Sequence, residues 1–317
     1  MVLPIELKNI IEDIAANYSL KLLKETANKL SDKYLNESGN GLSLANSEID
    51  IISYAVMRMP ATYAAISFAL NESLKGMEIN TILDVGSGMG SATFASYFYG
   101  LTNASFTCIE KEKEMVKLAK KLFSFYPNID VDFIQEDYLE KLPKQKYDLV
   151  IAAYSLNELN EKDRKSIIDS LWEITDKMLI IIEPGTPVGY KEIRDIRTQL
   201  LNKQGSIVAP CTHANECPIK ADDWCHFVTR VERSKLHKYL KGGDVPFEDE
   251  KFSYIAVSKS HSNCAYQYRV LRHPQIGNGN ISLTLCTKEG IINKRYFKSH
   301  SQYKQLKKIK TGEGFND

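Results

Sequence analysis

Leu83-Asp84-Val85-Gly86-Ser87-Gly88-Met89-Gly90 is the stretch that decides the fold of this chain. It joins an apolar run, expected as a strand over 80–85, to a helix expected over 90–99. Alternate glycines let the backbone turn sharply and approach a ligand, and the free amides of the following helix suit an anionic group. On the C-terminal side, short apolar runs at 105–110, 130–135, 147–153 and 178–183 alternate with helical segments at 112–125, 161–174 and 188–203. That alternation is the mark of βαβ units and a parallel sheet. Asp148 to Ala153 and Met178 to Ile182 are almost continuously apolar, as strands covered on both faces should be. A doubly wound α/β sheet follows, with its ligand loop after the first strand.

The flanks differ. The first seventy-five residues read as helices, with Ile5, Leu7, Ile10, Ile11, Ile14, Tyr18, Leu22 and Leu23 recurring at helical spacing. A polar break lies at Asn36 to Gly41, and a second helix starts from a cap at Asn46 or Ser47. Pro60 is expected to interrupt or restart it before a helix ending near Lys75. After Gly205 the alternation stops, and a segment rich in Cys, His, Pro and Asp runs to Phe227, followed by a short basic helix. Strands are expected at Phe252 to Ser258 and Tyr266 to Leu271, then a hairpin of 281–286 and 291–297 around Lys288 to Gly290. The expected organisation is a helical region at 1–76, the core at 77–205, a cysteine-rich segment with the basic helix at 206–243, and the last core strands with a basic hairpin at 244–317.

The 317 residues are 43% hydrophobic and 26% charged, which excludes wholesale disorder and fibrous repeats. A net charge of +1 means that any attraction to a polyanion must be local. No apolar run approaches the roughly 18 residues that span a bilayer, and Met1 to Lys8 lacks a signal pattern, so no membrane partner is expected. The chain reads as a cytosolic protein, monomeric when free. Six cysteines are too few for a disulfide scaffold in a reducing compartment.

An acidic Asp84 before Gly86, Gly88 and Gly90 departs from the dinucleotide spacing and resembles motif I of class I methyltransferases. The expected fold is therefore a class I S-adenosylmethionine-dependent methyltransferase, Rossmann-like α/β fold, with a helical N-terminal extension, a cysteine-rich insertion and a C-terminal β-hairpin. Glu110 ends the next strand, where a carboxylate can accept both ribose hydroxyls. Glu136 and Asp137 fall where that family reads the adenine amine. Asp84 alone also suits a cap on backbone amides near the loop. Substrate residues of such enzymes follow the fourth strand, which makes Tyr154, Asn157 and Glu158 the catalytic candidates; lining the pocket is the alternative role. The Asn/Asp-Pro-Pro-aromatic turn used on exocyclic base nitrogens is missing. Pro210-Cys211 resembles a pyrimidine-C5 nucleophile, but its neighbouring cysteines argue for ligation.

Cys211, Cys217 and Cys225 crowd into fifteen residues without the paired knuckles of a zinc ribbon. Three thiolates need a fourth ligand, and Cys286, Cys264, His213 and His226 are the candidates. Four thiolates suit a 4Fe–4S cluster or zinc. Cys108, mid-strand beside Phe106 and Ile109, reads as a small core hydrophobe.

Taken together, several segments resemble the methyltransferase-like proteins of the small ribosomal subunit, known in mitochondria and bacteria. They are Arg58 to Tyr63, Leu83 to Gly90, Val208 to His213, Cys217-Pro218, Asp223 to Phe227, Lys251 to Tyr254 and Leu285 to Thr287. The resemblance implies a protein that binds S-adenosylmethionine and small-subunit rRNA, assembles with the small subunit or its precursor, and carries an iron–sulfur cluster. Its cluster ligands, carried over by motif, are Cys211, Cys217, Cys225 and Cys286. It also implies a cytoplasmic location in a bacterium or the mitochondrial matrix in a eukaryote. The tail Lys310 to Phe315 departs from the family's Trp-Gly-Asp-like ending.

Two basic segments fit RNA: Arg230, Arg233, Lys235, Lys238 and Lys241, then Lys294, Arg295, Lys298, Lys304, Lys307, Lys308 and Lys310. Tyr239, Tyr296, Phe297 and Tyr303 interleave as stacking candidates. The competing reading is a small-molecule or protein methyltransferase with a structural zinc site. An active rRNA methyltransferase is the intermediate case.

Overall fold

The computed structural model describes residues 2–37, 47–220, 222–261, 264 and 266–317, with main chain alone for 33–37. The N-terminal region is helical: α1 (Ile5–Ala15), α2 (Leu20–Glu37) and α3 (Glu48–Ser73). Ser47 starts α3 through a capping box, its hydroxyl accepting from the Asp50 amide at 3.3 Å while Asp50 Oδ2 accepts from the Ser47 amide at 3.0 Å. The polar break read at 36–41 falls largely in 38–46, outside the described residues, as does the alternative cap Asn46.

Pro60 corrects one expectation. It neither stops nor restarts the helix but sits inside α3. Pro60 removes one hydrogen-bond donor, yet Met57, Met59, Ala61, Ala64 and Ala65 around it are buried. Packing on several sides of α3 offsets the lost bond.

The core then runs β1 (Thr81–Val85), α4 (Ser91–Tyr99), β2 (Ser105–Ile109), α5 (Lys113–Phe123), β3 (Val131–Ile134), β4 (Tyr147–Ala153), α6 (Glu161–Ile174), β5 (Thr175–Pro184), α7 (Pro187–Asn202) and β6 (Ser206–Ala209). It continues with β7 (Phe227–Glu232), α8 (Lys235–Lys241) and β8 (Phe247–Ser258). The sheet order is β3-β2-β1-β4-β5-β8-β6, with β7 on the other half of β8. The pairs from β3 to β5 are parallel and β8 runs antiparallel to both β5 and β6. The molecule is thus a class I methyltransferase-type Rossmann-like α/β fold, its order reversing at β1 and β4 where such sheets bind ligands.

Alternation along each strand fills two cores. Ile82, Leu149, Ile151, Ile180 and Ile182 face α1 to α5, whereas Leu83, Val85, Val150, Leu179 and Ile181 face α6 and α7. Thr186 caps α7 by accepting from the Gly189 amide at 3.1 Å, and Pro187 occupies the first turn. Two strands of this sheet were not anticipated after Gly205. β6 is only four residues long, too short for a periodic signal. β7 does alternate between buried and exposed positions, but it adjoins the cysteine-rich loop, which masks its start.

A second sheet ends the chain: β9 (Tyr268–Val270), β10 (Gln275–Gly277), β11 (Asn280–Thr287), β12 (Gly290–Phe297) and β13 (Gly314–Phe315), with α9 (Tyr303–Leu306) before the last strand. β11 is central, pairing with β9, β10 and β12. Its inner face buries Ile281, Leu283 and Leu285 against Tyr296, Tyr303, Leu306 and Phe315.

Arg269 joins this sheet to the core. The residue is 2% exposed, and its side chain donates to the Pro210 carbonyl at 2.9 Å, to the Gly312 carbonyl at 2.8 Å and to Glu72 at the end of α3. Removing one partner of such a pair leaves a buried charge uncompensated. The R269M variant is expected to lose about 3–5 kcal/mol of unfolding free energy in denaturant titration, and R269M/E72M to recover much of it. A loss below about 1 kcal/mol for R269M would contradict this role.

Candidate functional site

β1 ends at Val85, and the chain enters α4 through Gly86, Gly88 and Gly90, at φ +61°, +53° and +82°. These are left-handed conformations that favour glycine. The three have different neighbours. A Cβ on Gly86 would stand 2.6 Å from Ser155 Cβ, and one on Gly90 would stand 2.5 Å from the Phe123 ring. A Cβ on Gly88 would meet nothing within 4 Å among the described residues. Gly86 and Gly90 therefore permit close packing, and Gly88 borders open space. That space is a cleft of about 460 Å³, floored by the loop, Ala153 and Tyr154 and roofed by Tyr54, Met59, Thr62 and Ile66 of α3.

The acids around the loop divide by task. Asp84 Oδ2 accepts from the Thr93 amide and hydroxyl, both at 3.1 Å, so this carboxyl clamps α4. Burial pushes it up to about 7, against the pull of the Thr93 bonds. Glu110, just after β2, accepts from the Gly88 amide at 2.8 Å and from the Glu112 amide at 2.9 Å. Burial raises it while those two amides lower it. Each of its oxygens keeps a second lone pair for a ligand hydroxyl. Beyond β3, Glu136 pairs with Lys141 at 3.3 Å, and Asp137 Oδ1 accepts from the Leu139 amide at 2.9 Å.

The residues after β4 are held by the protein itself. Tyr154 has φ +57°, and its hydroxyl donates to Glu250 Oε1 at 3.0 Å. Arg58 grips the same Glu250 with two bonds, at 3.1 and 3.3 Å. Burial and the Glu250 carboxylate push the Tyr154 phenol well above its ordinary range, which unsuits it as a base. The Asn157 amide, oriented to satisfy its surroundings, donates to Glu183 Oε2 and to the Tyr154 carbonyl, both at 3.2 Å. Glu183 Oε1 accepts from the Leu156 amide at 3.1 Å, and burial followed by the nearby Glu192 raises this carboxyl strongly. Glu158 is partly buried, which raises it too. Glu250 and Glu183 escaped the sequence reading because their partners lie far off along the chain, Arg58 being 192 residues from Glu250.

A second cavity, of about 560 Å³, is lined by Cys211, Cys217, Cys225 and Cys286 together with Arg197, Arg269, Tyr190 and Tyr254. Cys211 follows β6, Cys217 lies in the next loop, Cys225 precedes β7, and Cys286 comes from β11. Among the described residues no three His, Cys, Asp or Glu groups gather as ligands of one metal ion. The thiols surround the cavity instead. Tyr190 Oη stands 3.3 Å from Cys217 Sγ, and the Cys225 carbonyl accepts from the Ser253 hydroxyl at 2.8 Å. Burial first, and then the other thiols, push Cys225 far up; burial and Cys211 push Cys286 up to about 12. Burial also raises Cys211, against the pull of Arg197.

Two buried polar atoms of the lining, Arg197 Nε and Tyr254 Oη, lack a hydrogen-bond partner among the described residues. Such a cavity fits an electron-rich, thiolate-bound group whose own cations would permit the thiols to ionise. The other candidate ligands lie differently. Cys264 donates to the Ile207 carbonyl at 3.6 Å, His226 stacks on Trp224, and His213 Nε2 is 3.9 Å from Cys286 Sγ.

The basic segments are partly neutralised. Arg230 pairs with Asp249 at 2.8 Å, Lys241 with Glu248 at 2.7 Å, and Lys294 with Asp317. Two aromatics read as stacking candidates are in fact interior, Tyr296 and Tyr303 packing under the C-terminal sheet. Their positions on the inner face of β12 and on α9 explain this. Tyr239 and Phe297 are exposed.

A family model described as mitochondrial small ribosomal subunit Rsm22 matches residues 48–316. The human protein named ribosome assembly protein METTL17, mitochondrial, is 27% identical over 257 residues, covering 75% of this chain and 55% of that protein. Rsm22-cox11 tandem protein 2, mitochondrial, of Schizosaccharomyces pombe is 27% identical over 293 residues, covering 84% of this chain and 36% of that protein. The chain thus spans about half of the human relative and about a third of the yeast one. Among solved structures, magnesium protoporphyrin IX methyltransferase of Synechocystis PCC 6803 with bound SAM covers 76% of this chain and 97% of its own, at 14% identity and a TM-score of 0.43. Strand order and register, not so loose an overlap, establish the fold.

Asp84 gives the site a pH dependence. Its folded pKa, about 7, lies above the ordinary 3.8, so the associated stability is complete at acid pH and drains as pH rises through about 7. Asn retains an acceptor for Thr93 without titrating. The melting temperature of D84N is expected to rise relative to wild type between about pH 5 and pH 8. Parallel profiles for the two proteins would refute the assignment.

Proposed function

The chain belongs to the family of the mitochondrial small ribosomal subunit protein Rsm22, and from that premise we propose that it is an S-adenosylmethionine-binding factor in small-subunit assembly, contacting small-subunit rRNA. The observation that carries this reading is the family match over residues 48–316. The human relative's name as a mitochondrial ribosome assembly protein supports it. The factor acts where its subunit is built, in the bacterial cytoplasm or the mitochondrial matrix. No helix among the described residues is long and apolar enough to cross a membrane.

S-adenosylmethionine takes the cleft beside Gly88. The ribose hydroxyls go to the remaining lone pairs of Glu110, the adenine lies towards Glu136 and Asp137, and the methionine end lies under α3. Binding without transfer is the preferred role. The phenol of Tyr154 is engaged by Glu250 and the amide of Asn157 by Glu183, so neither is poised as an acid or base.

Cys211, Cys217, Cys225 and Cys286 hold a 4Fe–4S cluster, with zinc as the alternative occupant. When bound, the group supplies positive charge that stabilises four thiolates, and so ties the cysteine loops to the C-terminal sheet. Arg197 and Arg269 offset the net negative charge of such a site, and Tyr190 donates to the Cys217 sulfur. The role is structural.

The test uses affinity-tagged full-length chain in its own cells, with Gly88→Asp to fill the cofactor cleft. The tagged protein is expected to copurify with immature small subunits, and mass spectrometry of their rRNA to show the same methyl groups with wild type, with G88D and in a deletion strain. Calorimetry should show S-adenosylmethionine binding to wild type only. One rRNA methyl group lost on deletion, and restored by wild type but not by G88D, would replace this reading with an active methyltransferase. No association with small subunits in moderate salt would overturn it.

A further inference from the structure

We propose that the outer face of the C-terminal sheet is a platform for unpaired RNA bases, centred on Phe297 and Arg295. The proposal rests on the rRNA-binding reading above and names the surface and the form of RNA it takes.

The face is defined by register. Paired residues of antiparallel strands point to the same side. Ile281 pairs with Tyr296, and both are buried on the inner side with Leu283 and Leu285. The alternate pairs, Asn280 with Phe297, Ser282 with Arg295 and Thr284 with Asn293, therefore lie on the outer side. Phe297 is 56% exposed there, and Arg295 and Asn293 are exposed beside it. Ser282 Oγ accepts from Arg295 Nε at 3.3 Å, laying the guanidinium along the sheet.

Charge selects the occupant. From Arg272 to Asp317 there are nine Lys and Arg residues and three acids, Glu289, Glu313 and Asp317, in a chain whose net charge is only +1. Glu289 sits in the β11–β12 turn, and its carboxylate accepts from the Thr287 hydroxyl. Eight residue steps put it about 26 Å along the strand from Phe297. Asp317 pairs with Lys294, which shares the inner register with Tyr296, so the outer side around the exposed ring keeps Arg295, with Lys298 next to the ring in the chain. The buried core of a protein interface is apolar and depleted of charge; here polar Asn293 and Arg295 separate Phe297 from Ile291.

A solvent-facing aromatic on a sheet, beside an arginine and short amide and hydroxyl side chains, is the arrangement on which unpaired bases stack. Duplex RNA keeps its bases stacked on one another and offers no free ring face, so it gains nothing from Phe297. The same outer face carries Cys286 at its turn end, where it is buried in the cysteine cavity. Orientation of the platform is thereby set by the joint to the core.

The test is fluorescence anisotropy on full-length protein purified without oxygen, with a labelled single-stranded RNA of about a dozen nucleotides and a duplex of equal length. F297A is expected to weaken single-strand binding about 5- to 150-fold and to leave duplex binding unchanged, while F297Y keeps wild-type affinity for both. The salt dependence of F297A should match wild type, and R295A should lower its slope. Single-strand affinity unchanged in F297A, or an equal loss for both RNAs, would overturn the platform while leaving rRNA binding elsewhere on the chain intact. Wild-type protein that binds neither RNA would overturn the rRNA-binding reading and the platform together.

Discussion

The buried guanidinium of Arg269 is the contact on which the arrangement of the molecule depends. It reaches the Pro210 carbonyl at the start of the cysteine segment, Glu72 at the end of α3, and the Gly312 carbonyl ahead of the last strand. Three parts of the chain thus meet at one charge, inside the wall of the cysteine cavity. A buried cation needs anions around it. Glu72 supplies one, and thiolates at Cys211, Cys217, Cys225 and Cys286 would supply the rest. Without a metal group, burial opposes ionisation of the Cys211, Cys225 and Cys286 thiols. A metal group held by these thiolates would therefore couple cofactor content to architecture at this joint.

From this joint the cleft beside Gly88 and the outer face of the C-terminal sheet take their positions. β11 carries Cys286 into the cavity and presents Ser282 and Thr284 outward from the same face. α3, held at one end by Arg269 through Glu72, roofs the cofactor cleft with Tyr54, Met59, Thr62 and Ile66. Midway along α3, Arg58 binds Glu250, which binds Tyr154. That residue holds a left-handed backbone beside the loop, a strain stabilised by its surroundings. Tyr154, just after the fourth strand, thus belongs to a hydrogen-bonded chain that holds α3 to the sheet.

Much of this was legible in the amino-acid sequence, for definite reasons. Apolar runs alternating with helical periodicity locate the strands from β1 to β5 within a few residues, and the glycine loop stands at the right join. Local signals failed where tertiary context overrides them. Pro60 would break an exposed helix, yet α3 is enclosed. Tyr296 and Tyr303 are indistinguishable from Phe297 in composition; only the register of β12 and the position of α9 separate buried ring from exposed ring. Arg230 and Lys241 looked available to a polyanion until β8 brought Asp249 and Glu248 opposite them. Partners such as Arg58 and Glu250, or Cys211 and Cys286, are joined by the fold across long stretches of sequence. No window along the chain contains both.

Metal and sulfide analysis of protein purified without oxygen, combined with hydrogen exchange over β9 to β13, tests the joint most directly. The account predicts a brown protein with about four iron and four sulfide ions per chain. In C217S the iron and sulfide should fall away, and the amides of β9 to β13 should lose protection while those of β1 to β5 keep theirs. A colourless protein holding zinc, or a C-terminal sheet equally protected in C217S, would contradict it.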